Sequence, residues 1–160
     1  MLAHDRSAGI ELSPEPPDCP DALWCLERYF GELAARFEGG FDPGRGGAEA
    51  DRDMSPPKGL FLVARREVAP VGCAGLKLHA DGIAEIKRMW VSPDARGCGL
   101  ARRMLGDLEN HARASGARAL RLDTNGALKE AQALYRREAF SEIPRFNDNP
   151  YAHHWFEKAL

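Results

Sequence analysis

The octapeptide Arg96-Gly97-Cys98-Gly99-Leu100-Ala101-Arg102-Arg103 sets two glycines one residue apart and three arginines directly ahead of a segment with helical apolar spacing. A strand, a glycine turn and then a helix gather several unpaired backbone N–H groups around one point, with the positive end of the helix dipole aimed there. Gly97 and Gly99 let the backbone bend and come close to a ligand without Cβ interference, and the arginines can add charge-assisted bonds. The chemistry this suits is capture of one compact polyanion, a phosphate or diphosphate. An ordinary strand-to-helix connection with glycines for geometry alone is the alternative, since short glycine patterns recur by chance. The Walker spacing, with its Lys followed by Ser or Thr, does not occur here. The dinucleotide fingerprint fails as well, because Arg102 stands at its third glycine position and no early βαβ unit precedes it.

The elements that must position this turn are legible from periodicity. A short strand is expected at Gly9 to Leu12, and a first helix at Asp21 to Phe37 through Leu23, Leu26, Phe30, Leu33 and Phe37. Glu38 to Pro57 holds five glycines and three prolines, too many breakers for a core element, with room for one short helix near Ala48 to Asp53. Gly59–Arg66, Pro70–His79 and Ile83–Val91 read as three strands, the first two joined by a turn around Val68 to Pro70. Leu100, Met104, Leu105, Leu108 and Ala112 carry a helical stripe from Gly99 to Ser115, with Gly116 at the C-cap position. A strand over Ala117–Thr124, a helix over Leu128–Ala139 and two tail strands, around Phe140–Ile143 and Ala152–Lys158, complete the order β-α-(α)-β-β-β-α-β-α-β-β. Such an order implies an α/β fold, a mixed central sheet with helices packed on it.

Composition narrows the function classes. The 160 residues fit one domain, 44% apolar and 29% charged as in a soluble globular protein. No run approaches a membrane span, and the start lacks the apolar core of a signal peptide, so a cytoplasmic protein without a membrane partner is expected. A net charge of −2 argues against a nucleic-acid binder. Cys19, Cys25, Cys73 and Cys98 form no CxxC pair or histidine-partnered spacing, so no metal and no disulfide framework are expected. The adjacent His153 and His154 would point to opposite faces of a strand, which does not suit a metal pair.

Arg96-Gly97-Cys98-Gly99-Leu100-Ala101 resembles the Arg/Gln-x-x-Gly-x-Gly/Ala signature of the GNAT superfamily of acetyl-CoA-dependent N-acetyltransferases. The stretch EIKRMWVSPDARGCGLARRML is similar to that family's fourth strand, pyrophosphate loop and following helix, and LRLDTN with EAQALYRREAF to its fifth strand and last helix. The resemblance covers Gly59 to Lys158, and residues 1–160 are expected to form a single N-acetyltransferase domain. It implies that backbone groups at Met89 and Val91 hold the pantetheine arm of acetyl-CoA. The amides of Gly97, Cys98, Gly99, Leu100 and Ala101 would take the pyrophosphate, with Arg96 and Arg102 beside it, and Asn125 would touch the arm.

Acetyl transfer to a primary amine needs a neutral nucleophile, a stabilised oxyanion and a proton for the departing thiolate. The resemblance places Glu85 where several family members carry a catalytic glutamate. Alternation would put it on one face with Lys87, Met89 and Val91 unless a bulge intervenes, and a solvated or substrate-orienting carboxylate is the alternative. Tyr135 matches a family tyrosine whose phenol can reprotonate the thiolate, the alternative being a core tyrosine. The Val91 N–H would polarise the acetyl carbonyl. Phe37 and Phe41 with nearby acids could form one wall of an acceptor pocket, and Asn147, Asp148, Asn149 and Tyr151 another. A small-molecule amine is the expected acceptor. An acyl-CoA-binding sensor and a protein lysine or N-terminal acetyltransferase are the competing functions. Family members are often dimers, and the tail strands could pair between subunits.

Overall fold

The computed structural model describes residues 7–160, so the opening residues read above as lacking a leader lie outside it. In chain order the elements are β1 (Ile10–Pro14), α1 (Pro20–Arg36), β2 (Gly59–Arg66), β3 (Ala69–Leu78), β4 (Ile83–Val91), α2 (Leu100–Ala114), β5 (Ala119–Thr124), α3 (Lys129–Arg137), β6 (Ser141–Ile143) and β7 (His154–Ala159). A 3₁₀ turn at Ala48–Asp53 occupies the place of the short helix expected in the long loop. Element ends fall within about two residues of those expected from sequence, the ordinary scatter of helix and strand boundaries.

The strands form one seven-stranded sheet in the order β1-β2-β3-β4-β5-β7-β6. β1 to β4 make an antiparallel meander, whereas β5 runs parallel to β4, a step that requires the crossover supplied by α2. β7 pairs with β5 along six residues and with β6 on its other side. Of the two tail strands, β7 is enclosed between β5 and β6, and β6 forms one edge of the sheet.

Alternation along the strands builds two cores. Leu62, Ala74, Leu76, Leu120, Leu122 and Phe156 point to one face, where Leu100, Met104, Leu105 and Leu108 of α2 cover them. Phe61, Val63 and Cys73 point to the other face and meet Ala22, Cys25 and Leu26 of α1, with Met54 wedged beside them. α1 starts cleanly because Pro20 occupies its first turn and the Cys19 Sγ accepts the Ala22 N–H at 3.4 Å.

One irregularity decides the geometry of the site. The β3–β4 register shifts between Cys73 and Gly75, and Arg88 has a φ of 56°. Ile86 packs in the α2-side core but Trp90, four residues on, packs in the α1-side core. Strict alternation would leave both on one face, so the bulge at Arg88 has inverted the strand. A non-glycine residue in this region of backbone space costs on the order of 1–2 kcal/mol and persists only where its surroundings fix it.

Candidate active site

β4 and β5 pair only at Ile83–Glu85 with Ala119–Arg121 and then separate. The divergence opens a slot through the sheet, bordered by Ile86 to Met89 on β4 and Leu122 to Asn125 on β5. Ala131 and Tyr135 of α3 line it with Leu128 just before that helix, and Tyr29 and Leu33 of α1 with Phe37 just after. Phe41, Asn149 and Tyr151 complete the wall on the α1 side.

The glycine turn lies just past the end of β4. Gly97 and Gly99 have φ values of 76° and 92°, which only glycine adopts without strain. The N–H groups of Gly97 to Arg102 have no hydrogen-bond acceptor among the described residues, and Gly99 caps α2 without a side chain. A Cβ at Gly97 would meet no atom within 4 Å, so the turn is uncrowded at this residue. Six unsatisfied donors at a helix N-terminus fit a diphosphate. The arginines are less available than the sequence suggests. Arg96 donates to the Val91 carbonyl at 3.0 Å and pairs with Glu32 of α1, while Arg102 pairs with Glu138 at 3.1 Å. The Cys98 Sγ donates to the Ala95 carbonyl at 2.9 Å, which stiffens the turn.

Residues 26–140 match the Acetyltransferase (GNAT) family. The chain belongs to the GNAT family of acetyltransferases. It is 37% identical over 128 residues to an IAA acetyltransferase of Azospirillum brasilense, covering 79% of this chain and 77% of the relative. The fold is shared with a GNAT acetyltransferase of Staphylococcus aureus Mu50, at a TM-score of 0.81 and 17% identity over 94% of this chain and 99% of the other. A phosphinothricin acetyltransferase of Sinorhizobium meliloti, solved in complex with AcCoA, aligns at a TM-score of 0.71 and 20% identity over 95% and 89% of the two chains.

Within this GNAT fold the expected site residues are sorted by the bulge. Met89 lines the slot together with Tyr135, whereas Val91 lies one step outside it, beside the glycine turn. Glu85 does not share their face. In register Glu85 opposes Lys77 and Lys87 opposes Gly75, and a Cβ on Gly75 would strike Met54 on the α1 side. Val91 opposes Gly72, whose Cβ would meet Leu100 of α2. Glu85 therefore sits on the face opposite Val91 and outside the slot lining, with its carboxylate 3.0 Å from His79 Nε2 and 3.9 Å from Lys87 Nζ. The cause is the extra residue at the bulge, which alternation cannot register.

Tyr135 is buried, and desolvation pushes its phenol well above the ordinary value near ~10. Burial thus favours the neutral phenol over the phenolate. The Tyr29 phenol is raised in the same way. Asn125 reaches the slot with its side chain already engaged, donating to the Tyr151 carbonyl at 2.7 Å and accepting from Ala127 N at 2.8 Å.

On the α1 side of the slot Phe37, Phe41 and Tyr151 form a ring cluster, with centroids 4.8 Å apart for Phe41–Tyr151 and 5.9 Å for each ring to Phe37. The Tyr151 hydroxyl accepts the Asp42 N–H at 2.8 Å and so ties the C-terminal loop to the long loop after α1. Asn147, expected in this wall, does not line the slot. It bonds Asp123 and accepts the Trp155 Nε1–H at 2.9 Å. His153 accepts from Gly126 N at 2.9 Å and His154 pairs with Glu142 at 2.9 Å, both structural contacts.

Two more residues complete the site: Arg88, whose charge the sequence grouped with the basic cluster at the glycine turn, and Asp123, which it did not single out. Arg88 is buried at the bulge, held by both carboxylate oxygens of Asp51 at 3.0 and 3.1 Å and by the Gly46 carbonyl at 2.9 Å. The pair fastens the long loop against the slot. Asp123 lies on the α1 side of β5 within the slot lining. A lone carboxylate between Leu122 and Thr124, in an apolar strand, was the signal that could have pointed to it.

Proposed function

We propose that the chain transfers the acetyl group of acetyl-CoA to the primary amine of a small molecule, by direct attack within a ternary complex. The observation that carries this is the slot itself. It runs through the sheet from Tyr135 on one side to the aromatic cluster on the other, and β4 leads from its Met89 wall toward the unsatisfied amides at the start of α2. Bound acetyl-CoA supplies an activated acyl group and a thiolate leaving group. The amides of Gly97 to Ala101 hold the diphosphate, while Arg96 and Arg102 reach it only by leaving Glu32 and Glu138. Met89 and Val91 offer the unpaired edge of β4 to the pantetheine arm, and an N–H from this edge faces the acyl oxygen as charge develops there. Tyr135 returns a proton to the departing sulfur. Asn125, with its side-chain bonds satisfied, shapes the wall beside the arm. Glu85 serves as a positioning residue through Lys87, which lines the slot. Phe37, Phe41 and Tyr151 enclose the body of the acceptor.

The test is thiol release from acetyl-CoA with a panel of primary amines, followed as initial rates with both substrates varied. Intersecting reciprocal plots and a large fall in kcat for Tyr135→Phe support the proposal. Parallel plots would indicate a covalent enzyme intermediate and contradict direct attack. Saturable acetyl-CoA binding without turnover of any amine or protein would favour a sensor.

A further inference from the structure

Three charged side chains line the slot: Lys87, Arg88 and Asp123. The two cations are answered, Arg88 by Asp51 and Lys87 by Glu85. Asp123 is not. No cationic side chain pairs with it among the described residues. Its carboxylate instead takes two neutral donors, Asn147 Nδ2 on Oδ2 at 2.5 Å and Asn149 Nδ2 on Oδ1 at 3.0 Å. The two asparagines are themselves held. Asn147 Oδ1 accepts from Trp155 Nε1 at 2.9 Å and from the Asn149 N–H at 3.2 Å, and Asn149 Oδ1 accepts from the Tyr151 N–H at 3.0 Å. A whole loop is thus spent on orienting one carboxylate. Each of its oxygens keeps a lone pair beyond the one that the asparagine occupies. Neutral donors fix its direction without cancelling its charge, so the unanswered charge in the slot is negative.

A negative group in a slot that also carries the Phe37, Phe41 and Tyr151 rings, with its two cations already paired, selects a cation carried on an apolar body, because ring faces and a carboxylate both attract an ammonium. An acceptor with its own carboxylate or phosphonate beside the amine would bring a second anion toward Asp123, with both slot cations already paired.

We propose that Asp123 receives the acceptor's ammonium and takes its first proton, and that the acceptor is a primary alkylamine borne on an aromatic or other flat apolar body. This rests on the acetyl-transfer function proposed above. One ammonium proton passes to the Asp123 carboxylate and on to water. The nitrogen–carbon bond then forms as the carbon–sulfur bond breaks, and the sulfur takes a proton from Tyr135. The second proton of the nitrogen restores the Tyr135 phenol, so the sum is amide, thiol and one proton released.

The experiment compares 2-phenylethylamine, phenylalanine and 2-aminoethylphosphonate as acceptors for the wild type, and then 2-phenylethylamine with phenylacetohydrazide for Asp123→Asn. The wild type is expected to favour 2-phenylethylamine in kcat/KM by at least about tenfold, the scale of one unfavourable charge contact. Asp123→Asn is expected to lower kcat/KM for the amine by about 10²-fold or more, the usual worth of a general base. The loss shrinks at least about tenfold for the hydrazide, which is weakly basic and arrives without a proton to remove. Acetyl-CoA affinity, read by calorimetry on the same variant, stays unchanged and reports that the slot has kept its shape. Equal losses for amine and hydrazide would reduce Asp123 to a structural role and overturn the proposal. Should Asp123→Asn not fold, the wild-type preference decides alone. Faster turnover of phenylalanine or the phosphonate would refute the assigned acceptor class while leaving acetyl transfer standing. Failure of every amine together with failure of acetyl-CoA binding would remove the underlying function as well.

Discussion

Replacing Asp51 with alanine would strip Arg88 of its carboxylate while leaving the guanidinium where it is, at the wall of the slot. The side chains are only 7% and 9% exposed, and the Arg88 Nε–H is shared by both Asp51 oxygens, so water cannot take over the lost contacts without opening the loop. Removing one partner of such a buried pair costs about 3–5 kcal/mol, because the remaining charge is left uncompensated. For a domain of this size a loss of that order lowers Tm by roughly 6–20 °C, at about 2–4 °C per kcal/mol. Urea unfolding of wild type, Asp51→Ala, Arg88→Met and the double variant closes a cycle. Most of the loss should return in the double variant, where no buried charge remains. Asp51→Ala should also raise KM for a cationic amine, since the slot gains an unpaired positive charge. A loss under about 1 kcal/mol, or a double variant no more stable than the single one, would refute the claim that this pair anchors the long loop.

The other expectations are narrower. Tyr135→Phe should lower kcat by about 10²-fold or more without moving acetyl-CoA affinity. Because burial holds the Tyr135 phenol above its ordinary value near ~10, the wild-type rate should show no alkaline fall from this group below about pH 10. Glu85→Gln should change kcat/KM far less than Asp123→Asn, under about tenfold, in the same thiol-release assay. Arg36 holds the Glu130 carboxyl below its usual range, so the stabilisation is complete above the ordinary carboxylate pKa near ~4.3 and fades as pH falls through the lower folded value. With Glu130 62% exposed the amount stays under about 1 kcal/mol; urea midpoints at neutral pH and near pH 3 should therefore fall slightly more for wild type than for Glu130→Gln.

The sheet and helices were readable because their signals are local. Leu100, Met104 and Leu108 repeat at helical spacing, and Phe61 and Val63 alternate with Leu60 and Leu62. The glycine turn was readable because positive φ values leave glycine as the residue of choice. Alternation put Glu85 on the face of Met89 and Val91 unless a bulge intervened, and the bulge at Arg88 does intervene, inverting the side chains beyond it. Asn147 was assigned to the wall when its amide serves Asp123, a partner 24 positions away. Asp51 was read only as one acid of the long loop, and Asp123 not at all, for the same reason. Their meaning lies in Arg88, Asn147 and Asn149, contacts that chain order does not encode.

A calorimetric titration of acetyl-CoA into wild type and Gly97→Val, side by side, tests the central claim most directly. Gly97 holds a φ of 76° that a β-branched residue does not adopt, so a valine there forces the turn out of the conformation that gathers its amides. Saturable binding to wild type, weakened by about tenfold or more in Gly97→Val, is the predicted result. Undiminished binding to Gly97→Val, or no binding to wild type, would contradict the placement of the diphosphate at this turn.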